Sequence, residues 1–299
     1  MRLLALRTIL VASDLTAGSD AAARTALDLS RASGAELHVI HIADRNDDIL
    51  IGDSHRAEYL AKLDVAMRRI GAREGDFAMH VADGDVPASI GHEADKLNAD
   101  VVILGRRRPE ARPAHDSPIG GTAHAVMSRS QAPCLAITEL LRLPIRKALV
   151  AIDTSETARG ALLVAVSWVS AVRATAIGEE TPTLTALHVD SGISDGEGAG
   201  TVGLKQVEHE VSVLRRMADA WAGVTVLSET IEGRNPAVLI ADYANDHGSD
   251  LVILGTRAPE HREGGLGSVS ASVTTSLSIP VLLVPPAVWR DHARDMDYF

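Results

Sequence analysis

The sequence predicts an α/β chain of two tandem Rossmann-like domains, each a five-stranded parallel sheet with helices on both faces. Three observations carry that expectation. Five sequence blocks recur in the same order, the expected strands are short continuous apolar runs, and helical apolar stripes lie between them.

The repeat is the strongest of the three. Ile9-Leu-Val-Ala-Ser-Asp14 returns as Ala148-Leu-Val-Ala-Ile-Asp153, and Leu37-His-Val-Ile-His-Ile42 as Leu184-Thr-Ala-Leu-His-Val189. Asp83-Gly-Asp-Val-Pro-Ala88 matches Glu232-Gly-Arg-Asn-Pro-Ala237, and Ala99-Asp-Val-Val-Ile-Leu-Gly105 matches Ser249-Asp-Leu-Val-Ile-Leu-Gly255. Ala132-Pro-Cys-Leu135 matches Ile279-Pro-Val-Leu282. Order held over so many blocks marks a duplication. The expected modules span 1–141 and 145–288, with a tail over 289–299. Pro144 lies in the connecting stretch from Leu140 to Arg146.

Continuous apolar strands suit a parallel sheet covered on both faces. Ala161, Leu162, Ala165, Val166 and Val169 form one helical stripe, and Val207, Val211, Leu214, Ala218 and Trp221 another, closed by Gly223. Leu60, Leu63, Met67 and Ile70 repeat that second stripe in the first copy, closed by Gly71. Pro87 and Pro236 stand where a helix would begin, a position that tolerates a missing amide hydrogen.

Composition narrows the function. The chain is 46% hydrophobic and 23% charged, the profile of a globular protein. Its net charge of -11 argues against a nucleic-acid partner, because phosphate recognition needs a basic face. A single cysteine, Cys134, excludes a disulfide framework within one chain and a cysteine-rich metal site. With 3% aromatic residues, the cores must be built from Ala, Val, Leu and Ile. Arg7 interrupts the apolar start Leu3-Leu4-Ala5-Leu6, and no apolar stretch approaches the ~20 residues that span a bilayer. The expectation is a cytoplasmic protein with no membrane partner.

As an ensemble these blocks resemble the universal stress proteins, over nearly all of both halves. The resemblance implies the adenine nucleotide alpha hydrolase-like variant of the fold, with strand order 3-2-1-4-5. It also implies a loop of the form Gly-x2-Gly-x9-Gly-Ser/Thr after the fourth strand. Glycines there let the backbone approach phosphate, and amides at the next helix start hold its charge. This sequence keeps part of the loop. The first copy has Gly105, then Arg108 at the second glycine position, then Gly121-Thr122 after a longer gap. The second has Gly255, then Ala258, then Gly267-Ser268 one residue early. The strand-end aspartates Asp14 and Asp153 lie near the nucleotide in the family, and Val189 closes the second copy's second strand. The candidate binding set is therefore Asp153, Val189, Gly255, Gly267 and Ser268, with Asp14, Gly105, Gly121 and Thr122 as its poorer counterpart.

What the resemblance implies is a regulatory, stress-response protein, with ATP or another adenine nucleotide favouring the second half. No metal is expected beyond magnesium carried by the nucleotide. Two other readings stay open: a slow ATP hydrolase or adenylate-handling enzyme, and an interaction scaffold without ligand. Against an enzyme stand the absence of a Walker lysine motif and of a nucleophile–base–acid trio, so no catalytic residue is assigned. Family members commonly dimerise through the last strand, which implies an intramolecular pseudo-dimer through Cys134 to Thr138 and Pro280 to Val284. A homodimer and an unidentified protein partner are further expectations.

Plainer readings of the same residues also stand. Gly105 and Gly255 suit turns at positive φ. Asp14 and Asp153 precede Leu15-Thr16 and Thr154-Ser155 and suit caps. Arg106, Arg107 and Arg108 suit a solvated loop. His41 and His188, at equivalent positions, suit a structural role; His115, His124 and His261 fall in or after the candidate ligand loops but lack metal-ligand spacing. Cys134 suits a small buried hydrophobe.

Overall fold

A computed structural model describes residues 5–43, 53–106, 121–153, 155–172, 180–190, 223–256 and 266–290, with 205, 208–209 and 211–212. It divides into two compact units, Leu6–Leu140 and Leu141–Phe299.

In the first unit the strands are β1 (Thr8–Ala12), β2 (Glu36–Ala43), β3 (Ala78–Asp83), β4 (Val101–Gly105) and β5 (Cys134–Ile137). All pairings are parallel, in the order β3-β2-β1-β4-β5. Helices α1 (Asp20–Ser33), α2 (Asp53–Arg69), α3 (Val86–Leu97) and α4 (Gly121–Arg129) connect them. The second unit has β6 (Lys147–Ala151), β7 (Thr183–Asp190), β8 (Thr225–Glu232), β9 (Leu251–Gly255) and β10 (Val281–Val284). Its order, β8-β7-β6-β9-β10, is the same topology and again parallel. Helices α5 (Glu156–Ala171), α6 (Pro236–Asp246) and α7 (Ser268–Ser276) belong to it. Strand order reverses between β1 and β4, and between β6 and β9. The crevice at the strands' carboxyl ends opens there.

The strands form because their apolar runs are buried on both faces: Ile9, Leu10, Val11, Val101, Val102 and Ile103 are all inaccessible. Each fully buried Ile or Leu contributes about 1.5–3 kcal/mol of transfer free energy. The expected stripes do the same for the helices. Leu63 and Met67 are buried on α2, which ends before Gly71 at φ +89°. The α5 stripe is part of a longer run, since every residue from Ala161 to Val169 is buried. Trp289 packs on this helix, its Cβ 3.4 Å from where a Gly160 side chain would begin. Of the stripe closed by Gly223, only Val211 lies within the described residues, and it is buried.

Both prolines open helices, with a difference. Pro236 is the first residue of α6, and Asn235 caps it by accepting from the Val238 amide. In α3 the first residue is Val86, Pro87 is the second, and Asp85 caps by accepting from the Ala88 amide. The cap has moved one residue between copies while its hydrogen bond is kept.

Candidate functional site

In each unit the first strand ends in a polar turn that carries the candidate aspartate. Asp14 Oδ1 accepts from the Thr16 amide at 2.9 Å and the Thr16 hydroxyl at 2.7 Å. Asp153 Oδ1 accepts from the Ser155 amide at 2.9 Å and from the Ser155 hydroxyl. Both aspartates thus act as turn caps, the plainer of the two readings, and both remain exposed to a ligand. Partial burial pushes Asp14 upward, but hydrogen bonds from Thr16 and Ser19 outweigh it and hold the carboxyl below its ordinary value.

His41 and His188 support these turns from the neighbouring strand. His41 Nδ1 lies 2.9 Å from the Ser13 carbonyl and His188 Nδ1 3.0 Å from the Ile152 carbonyl. A ring N–H donates in each case, so the structural role expected of the pair holds. Val189 follows on β7, half-buried, paired with Ile231.

The fourth-strand glycines correct one expectation. Neither Gly105 nor Gly255 has positive φ. Each is instead crowded by the segment that follows the first strand, a turn in the first unit and the start of α5 in the second. A β-carbon on Gly105 would lie 3.3 Å from the Gly18 carbonyl oxygen, and one on Gly255 2.9 Å from Thr157 Oγ1. Glycine is required by close approach. Thr157 Oγ1 is in turn 2.8 Å from Ser155 Oγ, so polar contacts run from Asp153 through Ser155 to Thr157, which packs against Gly255.

From Gly255 the chain of contacts reaches the next helix, because the Ser270 hydroxyl donates to the Gly255 carbonyl at 2.9 Å. Gly267 is the residue before α7, at φ 79° and ψ 149°, with no side-chain cap, and Ser268 is the first helical residue. Five expected residues were Asp153, Val189, Gly255, Gly267 and Ser268. Ser270 ties Gly255 to the helix that Gly267 and Ser268 open, whereas Asp153 bonds only within its own turn and Val189 pairs with Ile231. In the first unit Gly121 and Thr122 open α4. Arg107, Arg108, His115, Ala258 and His261 lie outside the described residues. Arg106 departs from the solvated loop expected of it: it is only 6% exposed, and its amide donates to the Ile137 carbonyl at 2.7 Å. The chain turns inward there because β4 stays paired with β5 for one more residue. His124 sits on α4 and its carbonyl accepts from Ser128.

Asp100 and Asp250 escaped the sequence reading. Asp100 Oδ2 accepts from the amides of Arg7 and Thr8 at 2.7 and 2.8 Å. Asp250 Oδ2 accepts from Arg146 and Lys147, both at 3.0 Å. The signal was present, as this aspartate stands in both copies of the fourth-strand block. Cys134 is 1% exposed, and burial pushes its thiol up to about 12. Among the described residues no group of three or more His, Cys, Asp or Glu could hold a metal ion, and no helix is long and apolar enough to cross a membrane.

Comparison with known proteins agrees with this architecture. The model of the universal stress protein family matches twice, over residues 5–138 and 144–285. No curated protein is detectably similar in sequence. Among solved structures, the chain is similar to a universal stress protein from Archaeoglobus fulgidus DSM 4304, with 19% identity and TM-score 0.68. That match covers 95% of this chain and 100% of the other. It is also similar to a Pseudomonas aeruginosa UCBPP-PA14 protein described as a candidate universal stress protein, with 16% identity and TM-score 0.64. There the coverage is 99% of both chains. At such identities the likeness is one of fold.

Proposed function

This chain belongs to the universal stress protein family, and from that membership we propose that it is a regulatory stress-response protein whose second unit binds ATP or another adenine nucleotide. The observation that carries the proposal is the start of α7. Gly267 supplies a bare, positive-φ entry to a helix whose first turn is tied to Gly255 by Ser270. Backbone amides and the helix dipole at such a start favour phosphate. Asp153 stands exposed at the end of the adjacent strand, where the strand order reverses. Magnesium would arrive with the nucleotide. The first unit, with Arg108 at a glycine position and a longer gap to Gly121, serves as the scaffold of the pair.

Calorimetric titration of the full chain with ATP and with AMP tests the proposal. Saturable binding that is lost in Gly267→Val supports it. Absence of binding, or binding indifferent to that change, overturns it.

A second reading has its own observation. Thr157 stands against Gly255 in the space that Gly18 leaves more open in the first unit. Packing this close between α5 and the end of β9 suits an interaction scaffold without nucleotide. Chromatography of whatever nucleotide is released from freshly purified protein separates the two readings. The proposal includes a cytoplasmic setting, and self-association of the full chain is read by sedimentation.

A further inference from the structure

Toward the amino-terminal ends of the first unit's strands, away from the candidate nucleotide site, three side chains form an unbroken relay. His38 on β2 places Nδ1 2.9 Å from Nε2 of His80 on β3. His80 Nδ1 lies 3.0 Å from Glu93 Oε1 on α3, and Glu93 is 8% exposed. Lys96 Nζ donates to the two Glu93 oxygens at 3.0 and 3.3 Å. His38 Nε2 faces Glu36 Oε2 at 3.7 Å. Glu36 and His38 also line a cavity of about 510 Å³, with Leu27, Arg31, Asp76 and Phe77 around it.

The proton inventory follows from these contacts. The Glu93 carboxylate can only accept, so His80 Nδ1 carries a hydrogen. The neutral His80 ring then has a bare Nε2, which accepts from His38 Nδ1–H. His38 Nε2 is left as the lone pair at the end of the relay. One added proton fits there, against Glu36, without disturbing any bond. Of the ring nitrogens only His80 Nε2 is then left for a second, which would set two N–H groups head-on at a 2.9 Å separation.

The second unit has different chemistry at the same three places. Counting along the second and third repeated blocks, Thr185 matches His38 and Glu229 matches His80; counting back from Asp100 and Asp250, Tyr243 matches Glu93. Tyr243 Oη donates to Glu229 Oε2 at 2.6 Å. The strand-to-helix bridge is kept, but it contains no imidazole; His247, which stacks on the Tyr243 ring, is an exposed residue at the end of α6.

We propose that the His38–His80–Glu93 relay is a proton-responsive site confined to the first unit, tolerating one proton and releasing β3 and α3 from β2 on taking a second. The groups that set its response are Glu36 on β2, Glu93 and Lys96 on α3, and the Arg31–Asp76 ion pair across the cavity. His92 and Asp95 of α3 are exposed. Burial holds His80 below its ordinary value, opposed by Glu93 and reinforced by His38 and Lys96. The folded chain therefore binds this proton more weakly than the unfolded chain. Stability contributed here is complete above about pH 6.5 and is lost as pH falls below it.

Hydrogen exchange of the full chain, corrected for intrinsic rates and read between about pH 5 and pH 8, tests the proposal. Protection over 78–97 is expected to fall by up to about tenfold per pH unit below about pH 6.5, while 225–246 stays flat. His80→Gln should flatten 78–97. His38→Thr, which copies the second unit and removes the opposing N–H, should shrink the slope while keeping His80. A wild-type profile over 78–97 as flat as that over 225–246 overturns the proposal. So does a slope that persists in His80→Gln or is undiminished in His38→Thr.

Discussion

Thr157 stands directly against Gly255, its Oγ1 2.9 Å and its backbone carbon 3.0 Å from where a β-carbon would lie. Backbone cannot yield as a flexible side chain can. Gly255→Ala is therefore expected to destabilise the chain by about 1–3 kcal/mol through overpacking. Gly105→Ala, whose nearest neighbour would be the Gly18 oxygen at 3.3 Å, should cost less. Urea unfolding of the two variants compares them, and equal costs would contradict the packing account.

Gly267→Ala separates backbone geometry from ligand binding. At φ 79° and ψ 149° the residue occupies a region that is almost exclusive to glycine. The alanine variant should lose about 1–3 kcal/mol with no nucleotide present. A ligand-free variant as stable as wild type would show that the α7 entry relaxes at no cost.

Asp250→Ala and Asp100→Ala each remove an acceptor that serves two strand-start amides. The expected cost is about 1–3 kcal/mol for each variant. Asn in place of Asp should recover part of it, since the side-chain oxygen remains. Denaturant midpoints of the four variants check this.

Tyr243 gives a pH prediction of opposite sign to that of His80. Burial first, and then the Glu229 carboxylate, pushes its hydroxyl up to about 12, against a small opposing bond from Thr185. The protonated form is favoured in the fold. Its contribution is complete below about pH 10 and lost as pH rises through about 12. The chain has three tyrosines, so an ultraviolet titration should show one tyrosinate rising late, and Tyr243→Phe should remove that phase. A late phase that persists in the variant would assign it elsewhere.

Cys134 should not react with a thiol reagent in the folded chain and should react at once in denaturant. Its thiol is buried and pushed up to about 12, so little thiolate is available. Rapid labelling of the native protein would refute the placement.

Much of this was legible in the sequence, for identifiable reasons. Runs such as Ile9-Leu10-Val11 and Val101-Val102-Ile103 are apolar at every position, and only a sheet covered on both sides asks for that. The duplication then checked each block against its partner. What escaped was decided by neighbours distant in the chain. Gly255 is glycine because Thr157 approaches it, and no local pattern records that approach. Arg106 belonged by composition to a charged run, yet one more residue of strand pairing turns it inward. The relay was hidden for the same reason. His38, His80 and Glu93 belong to three separate elements, and only sheet register and helix docking bring them together.

The matched bridges, His80 to Glu93 and Glu229 to Tyr243, also constrain how the two copies could diverge. Changing only His80 to Glu would set two carboxylates against each other in a buried place, and changing only Glu93 to Tyr would leave His80 without its carboxylate. Either single step breaks a bond that the paired change restores, so the two positions are epistatic and must evolve together or through a neutral intermediate. Exchange of genetic material between the two halves would therefore be tolerated only when its breakpoints carry strand and helix across as a block. Recombination inside that block would yield a mismatched pair, and selection against such products would keep the halves chemically distinct long after the duplication.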